Sequence, residues 1–180
     1  MQPDKIQVHG RSFVRYINES ELQNQIKRLA SEINRDYAGK RPLFIPILNG
    51  SFMFASDLFK ELNIEAEICF IKLASYHGMQ SSGSVVKSIG LDQDISGREI
   101  VILEDIVDTG KTLHEFLPQV IAMQPASVKI ATLLHKPEAL KHPLQLDYIG
   151  FSVPNKFLLG YGLDYDGIAR NLKEIYQLDE

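Results

Sequence analysis

The segment Val101–Thr112, VILEDIVDTGKT, gathers more chemistry than any other part of the chain. An apolar run ends in the adjacent acids Glu104 and Asp105, passes through Ile106 and Val107, and enters Asp108-Thr109-Gly110-Lys111-Thr112. Gly110 permits a backbone turn that a side chain would hinder. Successive amides there, with the hydroxyls of Thr109 and Thr112, can ring a phosphate at a helix N-terminus. Taken alone, these residues serve a simple helix cap equally well. Gly110-Lys111-Thr112 also matches the end of a nucleotide-binding P-loop. That motif needs glycine where this chain has Asp105, whose carboxylate would repel polyphosphate, so the P-loop reading fails. The paired acids are the sharper feature. Two carboxylates beside a phosphate nest call for a cation and for hydroxyl donors, and magnesium with a ribose diol supplies both. A phosphate in the nest and a diol on the acids together describe a ribose 5-phosphate.

The elements that must position these groups follow from periodicity. Residues 18–38 read as an amphipathic helix, capped by Asn18 or Ser20, with Leu22, Ile26, Leu29 and Ile33 on one face and Gly39 at its end. Residues 42–48 (PLFIPIL) form a short buried strand bounded by Asn49-Gly50, and residues 51–62 resume helical spacing through Phe52, Ala55, Leu58 and Phe59. A second strand covers 65–73, followed by a polar stretch, 75–84, with no hydrophobic period. Residues 98–103 give a third strand and 111–123 a helix in which Pro118 predicts a kink or early stop. Residues 127–134 and 147–153 give a fourth and a fifth strand. This alternation predicts an α/β fold, a mostly parallel central sheet with helices on both faces, in a single domain over residues 1–180. Ligands of such sheets bind beyond the carboxyl ends of the strands.

Composition narrows the partners. The chain has 180 residues, 44% of them hydrophobic, enough to bury one substantial core. A formal net charge of -4 provides no basic field to attract nucleic acid or an anionic membrane, so phosphate must be held by local devices. Cys69 is the only cysteine, which excludes an internal disulfide and a multi-thiolate zinc site; within AEICFIKL it reads as a buried, inert thiol. No apolar leader core or membrane-length run is present, and a cytoplasmic protein is expected.

The acid pair flanked by aliphatics and followed by D-T-G-K-T resembles the phosphoribosyl pyrophosphate motif of type I phosphoribosyltransferases, and in its longer form that of the hypoxanthine-guanine phosphoribosyltransferases. The resemblance extends from about Val8 to Tyr176. It implies the type I fold, with a small hood built from the chain termini, and transfer of 5-phosphoribosyl from phosphoribosyl pyrophosphate to hypoxanthine and guanine in purine salvage. It also implies Mg2+ as cofactor and a homodimer or homotetramer. On this resemblance Glu104, Asp105, Asp108, Thr109, Gly110, Lys111 and Thr112 bind the phosphoribosyl group, and Asp108 sits at ring nitrogen 7 of the base to take its proton.

Further positions match by the same resemblance. Leu48-Asn49-Gly50-Ser51 occupies the place of the family's pyrophosphate loop, with a non-proline cis peptide expected at Leu48-Asn49. Many members carry lysine or arginine where this chain has Asn49, which removes one positive charge. Ser75-Tyr76 opens the matching mobile loop, expected to close over the site and keep water from an oxocarbenium-like transition state. Lys136, which alone reads as a surface lysine, would donate to the exocyclic oxygen of a 6-oxopurine; His135 beside it has no assignable role. In Lys156–Tyr165, KFLLGYGLDY, Phe157 would stack on the purine and Leu158 contact its edge. Residues alone allow Phe157 and the leucines to be core strand as well. Asp164 would hold magnesium with Glu104 and Asp105 and lie near the base, and Arg170 would grip pyrophosphate. Two rivals share the motif. One is a xanthine-preferring enzyme, set by backbone carbonyls near Leu158 and Asp164. The other is a regulator sensing phosphoribosyl pyrophosphate, against which the acidic charge speaks.

Overall fold

The computed structural model describes residues 3–77 and 84–179. Its central sheet is assembled from the predicted apolar runs. Strand β3 (Leu43–Leu48) lies in the middle; β7 (Glu99–Val107), β8 (Ser127–His135) and β9 (Tyr148–Ser152) follow on one side, and β5 (Ile71–His77) and β6 (Ser84–Ile89) on the other. The pairs β3–β5, β3–β7, β7–β8 and β8–β9 are parallel, and only the edge pair β5–β6 is antiparallel among these neighbours. The short strand β4 (Glu67–Ile68) also pairs with β3.

Alternate residues of the strands feed two faces, as a sheet covered on both sides requires. Phe44, Val101, Leu103, Ala131 and Leu133 pack with helices α1 (Glu19–Asp36) and α2 (Phe52–Lys60), while Leu43, Ile45, Ile100, Ile102 and Ile130 pack with α3 (Lys111–Ala122). Helix α1 buries Leu22, Ile26, Leu29 and Ile33, as its spacing predicts. Asn18, not Ser20, caps it: Asn18 Oδ1 accepts from the Glu21 amide at 2.9 Å, and Glu21 returns the bond to the Asn18 amide at 2.9 Å. Helix α2 turns Phe54, Ala55 and Leu58 inward and leaves Phe52 exposed, a shift from the expected face. Helix α3 runs through Pro118 without stopping. Pro118 and His114, whose carbonyl would otherwise accept from residue 118, both lie on the exposed face of the helix.

Beside the core stands a second antiparallel sheet in the order β1 (Lys5–Val8), β2 (Arg11–Ile17), β11 (Ile175–Leu178), β10 (Leu158–Leu159). It joins the two ends of the chain around Val8, Phe13, Leu159 and Tyr176, and is the expected hood. Two other expectations change. The strand expected over 65–73 breaks into β4 and β5. The polar stretch from Ser75 begins inside a strand: Ser75 pairs with Val86 and Tyr76 with Val85 on β6. Residues 78–83, the centre of the expected closing loop, lie outside the described residues. Cys69 is half-buried, and its thiol donates to the Gly90 carbonyl at 3.1 Å.

Candidate active site

The predicted groups meet at the carboxyl ends of β3, β7 and β8. Strand β7 continues past its expected end because Ile106 and Val107 still pair with Leu134 and His135 of β8. Glu104 and Asp105 therefore sit on a strand, held by the ladder, and not on a free loop. Beyond Val107 the chain turns through Gly110, at φ 77°, straight into α3. A Cβ at Gly110 would lie 2.9 Å from the His142 carbonyl and from methyls of Leu140 and Leu144, so both conformation and space demand glycine. The segment carrying those residues is tied back by amides of Lys141 and His142 donating to the Thr109 carbonyl at 3.0 and 3.1 Å.

The result is a cup of about 90 Å³ lined by Glu104 and residues 106–113. It contains every residue expected to hold the phosphate. Helix α3 has no side-chain cap at its start, which sets aside the cap alternative for Asp108. Thr109 Oγ1 accepts weakly from the Lys111 amide at 3.4 Å, and the Lys111 ammonium runs along the helix to Glu115 at 3.7 Å. Apart from that weak contact, the start of α3 has no side-chain cap where its residues line the cup.

Asp108 instead pairs with Lys136. The ammonium lies 3.0 Å from Asp108 Oδ2, and Lys136 is 7% exposed, so the surface-lysine reading is overturned. Its amide donates to the Val107 carbonyl at 2.9 Å, which draws the end of β8 onto the end of β7 and places the lysine under the cup. An ammonium has three donors, and one bond to Asp108 leaves others for a ligand carbonyl.

The acid pair is electrostatically exposed to its own cost. Burial, and then the neighbouring Asp105 charge, hold the Glu104 carboxyl well above the usual carboxylate range. Burial pushes Asp105 up to about 6, against the pull of the backbone amides of Ile106 and Asp105 and of Arg170, with Asp164 adding repulsion. Glu104 Oε2 is enclosed and finds no hydrogen-bond partner among the described residues. A carboxylate pair so placed fits a divalent cation or a diol. No group of three or more His, Cys, Asp or Glu side chains converges among the described residues, so a cation here would draw remaining ligands from substrate and water.

The loop after β3 closes the other side. The Leu48–Asn49 peptide is cis, as expected. Asn49 is exposed, whereas Gly50 and Ser51 are buried. Ser51 Oγ donates to the Ile47 carbonyl at 2.6 Å and its amide donates weakly to the same carbonyl at 3.4 Å, so Ser51 shapes the loop. Gly50 packs on Asp105 so tightly that a Cβ would overlap the carboxylate, and a Cβ at Gly162 would overlap the Gly50 carbonyl. Sequence reading missed this stack, since a glycine required for close approach looks like any turn glycine. Arg170 donates to the Gly162 carbonyl at 2.7 Å and pairs with Asp164 Oδ1 at 2.7 Å, while Asp164 Oδ2 accepts from the Gly167 amide at 2.7 Å. Ser75 and Tyr76 lie further along β5 than Lys72, the partner of Leu48, so their strand runs on beyond the end of β3.

Phe157 and Leu158 lie in the hood. Leu158 is buried in β10 opposite Gln177, but Phe157 is 44% exposed, with its ring 5.3 Å from Tyr165 and 6.1 Å from Phe13. The core-strand alternative therefore holds for the leucine and fails for the phenylalanine. The Val153 amide donates to the His135 carbonyl at 2.8 Å, joining the strand that leads towards Phe157 to the residue before Lys136.

Comparison with known proteins agrees with this geometry. Residues 18–166 match the phosphoribosyl transferase domain family. The hypoxanthine-guanine phosphoribosyltransferase of Streptococcus pneumoniae is 41% identical over 165 residues, covering 91% of this chain and 92% of the relative. A crystal structure of a hypoxanthine-guanine phosphoribosyltransferase from Bacillus anthracis superposes with a TM-score of 0.84 at 37% identity, over 92% of this chain and 96% of that one. A hypoxanthine phosphoribosyltransferase from Staphylococcus aureus gives a TM-score of 0.85 at 37% identity, over 92% and 90% of the two chains. With the cup, the acid pair and the hood in their matching order, the chain belongs to the phosphoribosyl transferase domain family and, within it, to the hypoxanthine-guanine phosphoribosyltransferases.

Proposed function

We propose that the chain transfers the 5-phosphoribosyl group of phosphoribosyl pyrophosphate to hypoxanthine and guanine, giving inosine and guanosine monophosphates and pyrophosphate in purine salvage. The observation that carries this reading is the phosphate-sized cup at the start of α3, set against an enclosed acid pair on one side and the Asp108–Lys136 pair on the other. The amides of residues 109–112 and the threonine hydroxyls hold the 5-phosphate. Glu104 and Asp105 accept from the ribose hydroxyls and orient the sugar.

Ring nitrogen 9 of the base donates its lone pair to the anomeric carbon, and the carbon–oxygen bond to pyrophosphate breaks with its electrons leaving on that oxygen. Bond breaking leads, so positive charge develops on the ribose beside the two carboxylates. Asp108 takes the proton from ring nitrogen 7, and Lys136, already at 3.0 Å from Asp108, donates to the exocyclic oxygen of the base. Phe157 offers the exposed ring on which the purine stacks, with the Leu158 backbone at its edge. The loop of Leu48 to Ser51, together with Arg170, holds pyrophosphate, and Ser75 and Tyr76 close on it. Glu104 and Asp105, with Asp164 reaching it through water, would hold Mg2+, which when bound would neutralise charge on the departing pyrophosphate. The enzyme acts as one domain, in the cytoplasm, as a homodimer or homotetramer, and uses no nucleic acid or membrane. Among the described residues no helix is long and apolar enough to cross a bilayer.

The test is a steady-state assay with Mg2+, phosphoribosyl pyrophosphate and, separately, hypoxanthine, guanine, xanthine, adenine and uracil. Rapid formation of inosine monophosphate with little turnover of adenine or uracil is expected. Phosphoribosyl pyrophosphate binding without turnover of any base would overturn the proposal in favour of a sensor.

A further inference from the structure

Two segments distant in sequence must keep register to make the pyrophosphate side of the site: the loop after β3, and the hood loop that carries Gly162, Asp164 and Arg170. Their contact is Gly162 on Gly50, which in turn lies on Asp105, with no room for a Cβ at either glycine. The hood loop is not in a relaxed conformation there. Tyr161 stands at φ +49° between glycines at φ +94° and +99°, a left-handed backbone that side chains disfavour. Such an outlier persists only where its surroundings hold it.

Backbone bonds hold the loop to itself, and one buried side-chain contact ties it to the helical layer. Tyr161 is 2% exposed, and its hydroxyl donates to Asp57 Oδ2 at 2.5 Å. Asp57 belongs to α2, the helix that starts at the loop after β3. The same carboxylate accepts from Gln23 Nε2 of α1 at 2.8 Å and pairs with Lys60 at 2.5 Å. Burial opposes its charge, but the bonds from Lys60, Tyr161 and Gln23 outweigh it and keep the carboxyl below the usual range. The Tyr161 and Gly162 amides donate to the Leu172 and Arg170 carbonyls, each at 2.9 Å, which ties the tyrosine's segment to the arginine's.

We propose that Tyr161 and Asp57 are a positioning pair for pyrophosphate: they anchor the hood loop to the helix that begins at the pyrophosphate loop, and so set Arg170 and Asp164 over the leaving group. The inference rests on the proposed transferase reading for the identity of that ligand. The purine side of the hood, Phe157 with Tyr165 and Phe13, has its own packing and does not depend on the pair.

The test compares wild type, Tyr161→Phe, Asp57→Asn and the double variant, with KM for each substrate read beside calorimetric affinity for pyrophosphate in Mg2+. Tyr161→Phe, which keeps the ring and its burial, is expected to raise KM for phosphoribosyl pyrophosphate and weaken pyrophosphate by about tenfold, with KM for hypoxanthine within about twofold of wild type. Asp57→Asn, whose amide oxygen still accepts from the tyrosine, should fall between, and the double variant should be no worse than Tyr161→Phe. A merely structural role gives a different pattern. Lower melting temperature with both KM values unchanged, both KM values rising together, or effects of the two substitutions that add would each overturn the pair. A wild type that binds pyrophosphate but turns over no base refutes the transferase reading, and the pair then stands or falls on the pyrophosphate affinities alone. A wild type that binds no pyrophosphate overturns both.

Discussion

Replacing Asp105 with asparagine removes a charge that the folded chain disfavours while keeping the shape on which Gly50 packs. Burial raises the carboxyl from its ordinary 3.8 to about 6. At about 1.4 kcal/mol per unit this is roughly 3 kcal/mol of folded-state penalty above pH 7, and the exposed part of the side chain reduces it to about 1–3 kcal/mol. An acid whose folded value lies above its unfolded one destabilises the fold at high pH. The penalty fades as pH falls from about 6 towards about 4, where both states are protonated. Asp105→Asn should therefore melt about 3–8 °C higher than wild type near pH 8 without ligand, and the gap should close on acidification. Turnover should move the other way, with kcat/KM for phosphoribosyl pyrophosphate falling by about one to two orders of magnitude as the sugar and cation lose a charged acceptor. Differential scanning fluorimetry across pH, with and without Mg2+ and phosphoribosyl pyrophosphate, measures both sides. Ligand should raise the melting temperature of wild type more than that of the variant. A variant less stable than wild type at pH 8, or a gap indifferent to pH, would refute the electrostatic account of this pair.

Other changes separate the remaining roles. Asp108→Asn keeps a side chain that can accept from Lys136 but cannot take a proton, so kcat should fall by about 10²–10⁴ with KM for phosphoribosyl pyrophosphate little changed; equal loss in both would argue against proton transfer. Lys136→Ala leaves Asp108 without its partner and the base oxygen without its donor. KM for hypoxanthine should rise by roughly ten- to a hundredfold, and the preference over adenine should shrink, as competition assays would read; unchanged hypoxanthine kinetics would remove the assignment. Asn49→Lys places a cation at an exposed position of the proposed pyrophosphate loop. Product inhibition by pyrophosphate should tighten by roughly threefold to tenfold at low salt and relax as salt rises, and a salt-independent change would contradict the charge argument.

The core was legible because each helix and parallel strand carries its own period. Leu22, Ile26, Leu29 and Ile33 announce α1 whatever surrounds them, and the continuous apolar runs at 43–48 and 100–103 suit strands buried on both faces. Boundaries failed where pairing, not composition, decides them. Glu104 and Asp105 carry no strand signal, yet β8 holds them in a ladder, and Ser75 and Tyr76 look like loop until β6 pairs with them. The hood was unreadable from periodicity for the same reason. Three of its four strands have no more than four residues, and β2 is completed by β11 from the opposite end of the chain, so only the family resemblance predicted it. In the site, types and spacing pointed to the acid pair and the phosphate loop, while the roles of Asp108 and Lys136 came from the family resemblance alone. The burial of Lys136, the commitment of the Ser51 hydroxyl to Ile47 and the stacking of Gly162 on Gly50 depend on contacts across more than one segment.

The charges around the site also explain why a cation belongs in the proposed reaction. On the pyrophosphate side stand Glu104, Asp105 and Asp164, and the arginine there, Arg170, is already shared between Asp164 and the Gly162 carbonyl. On the base side the Lys136 ammonium is matched by Asp108. The loop after β3 carries the neutral Asn49, and the overall charge of -4 adds no long-range attraction. A polyanionic substrate entering alone would meet two buried carboxyls and one arginine whose charge is largely spent. The helix start at α3 and the backbone amides of the cup answer the 5-phosphate only, because that field decays within a turn. In the proposed reaction pyrophosphate would then need to arrive with its own positive charge, and the same charge would satisfy the enclosed Glu104 oxygen that no protein group reaches among the described residues. On the proposed reaction, the site would bind a metal–substrate complex better than either component, a consequence of which carboxylates the fold buries and which cations it withholds.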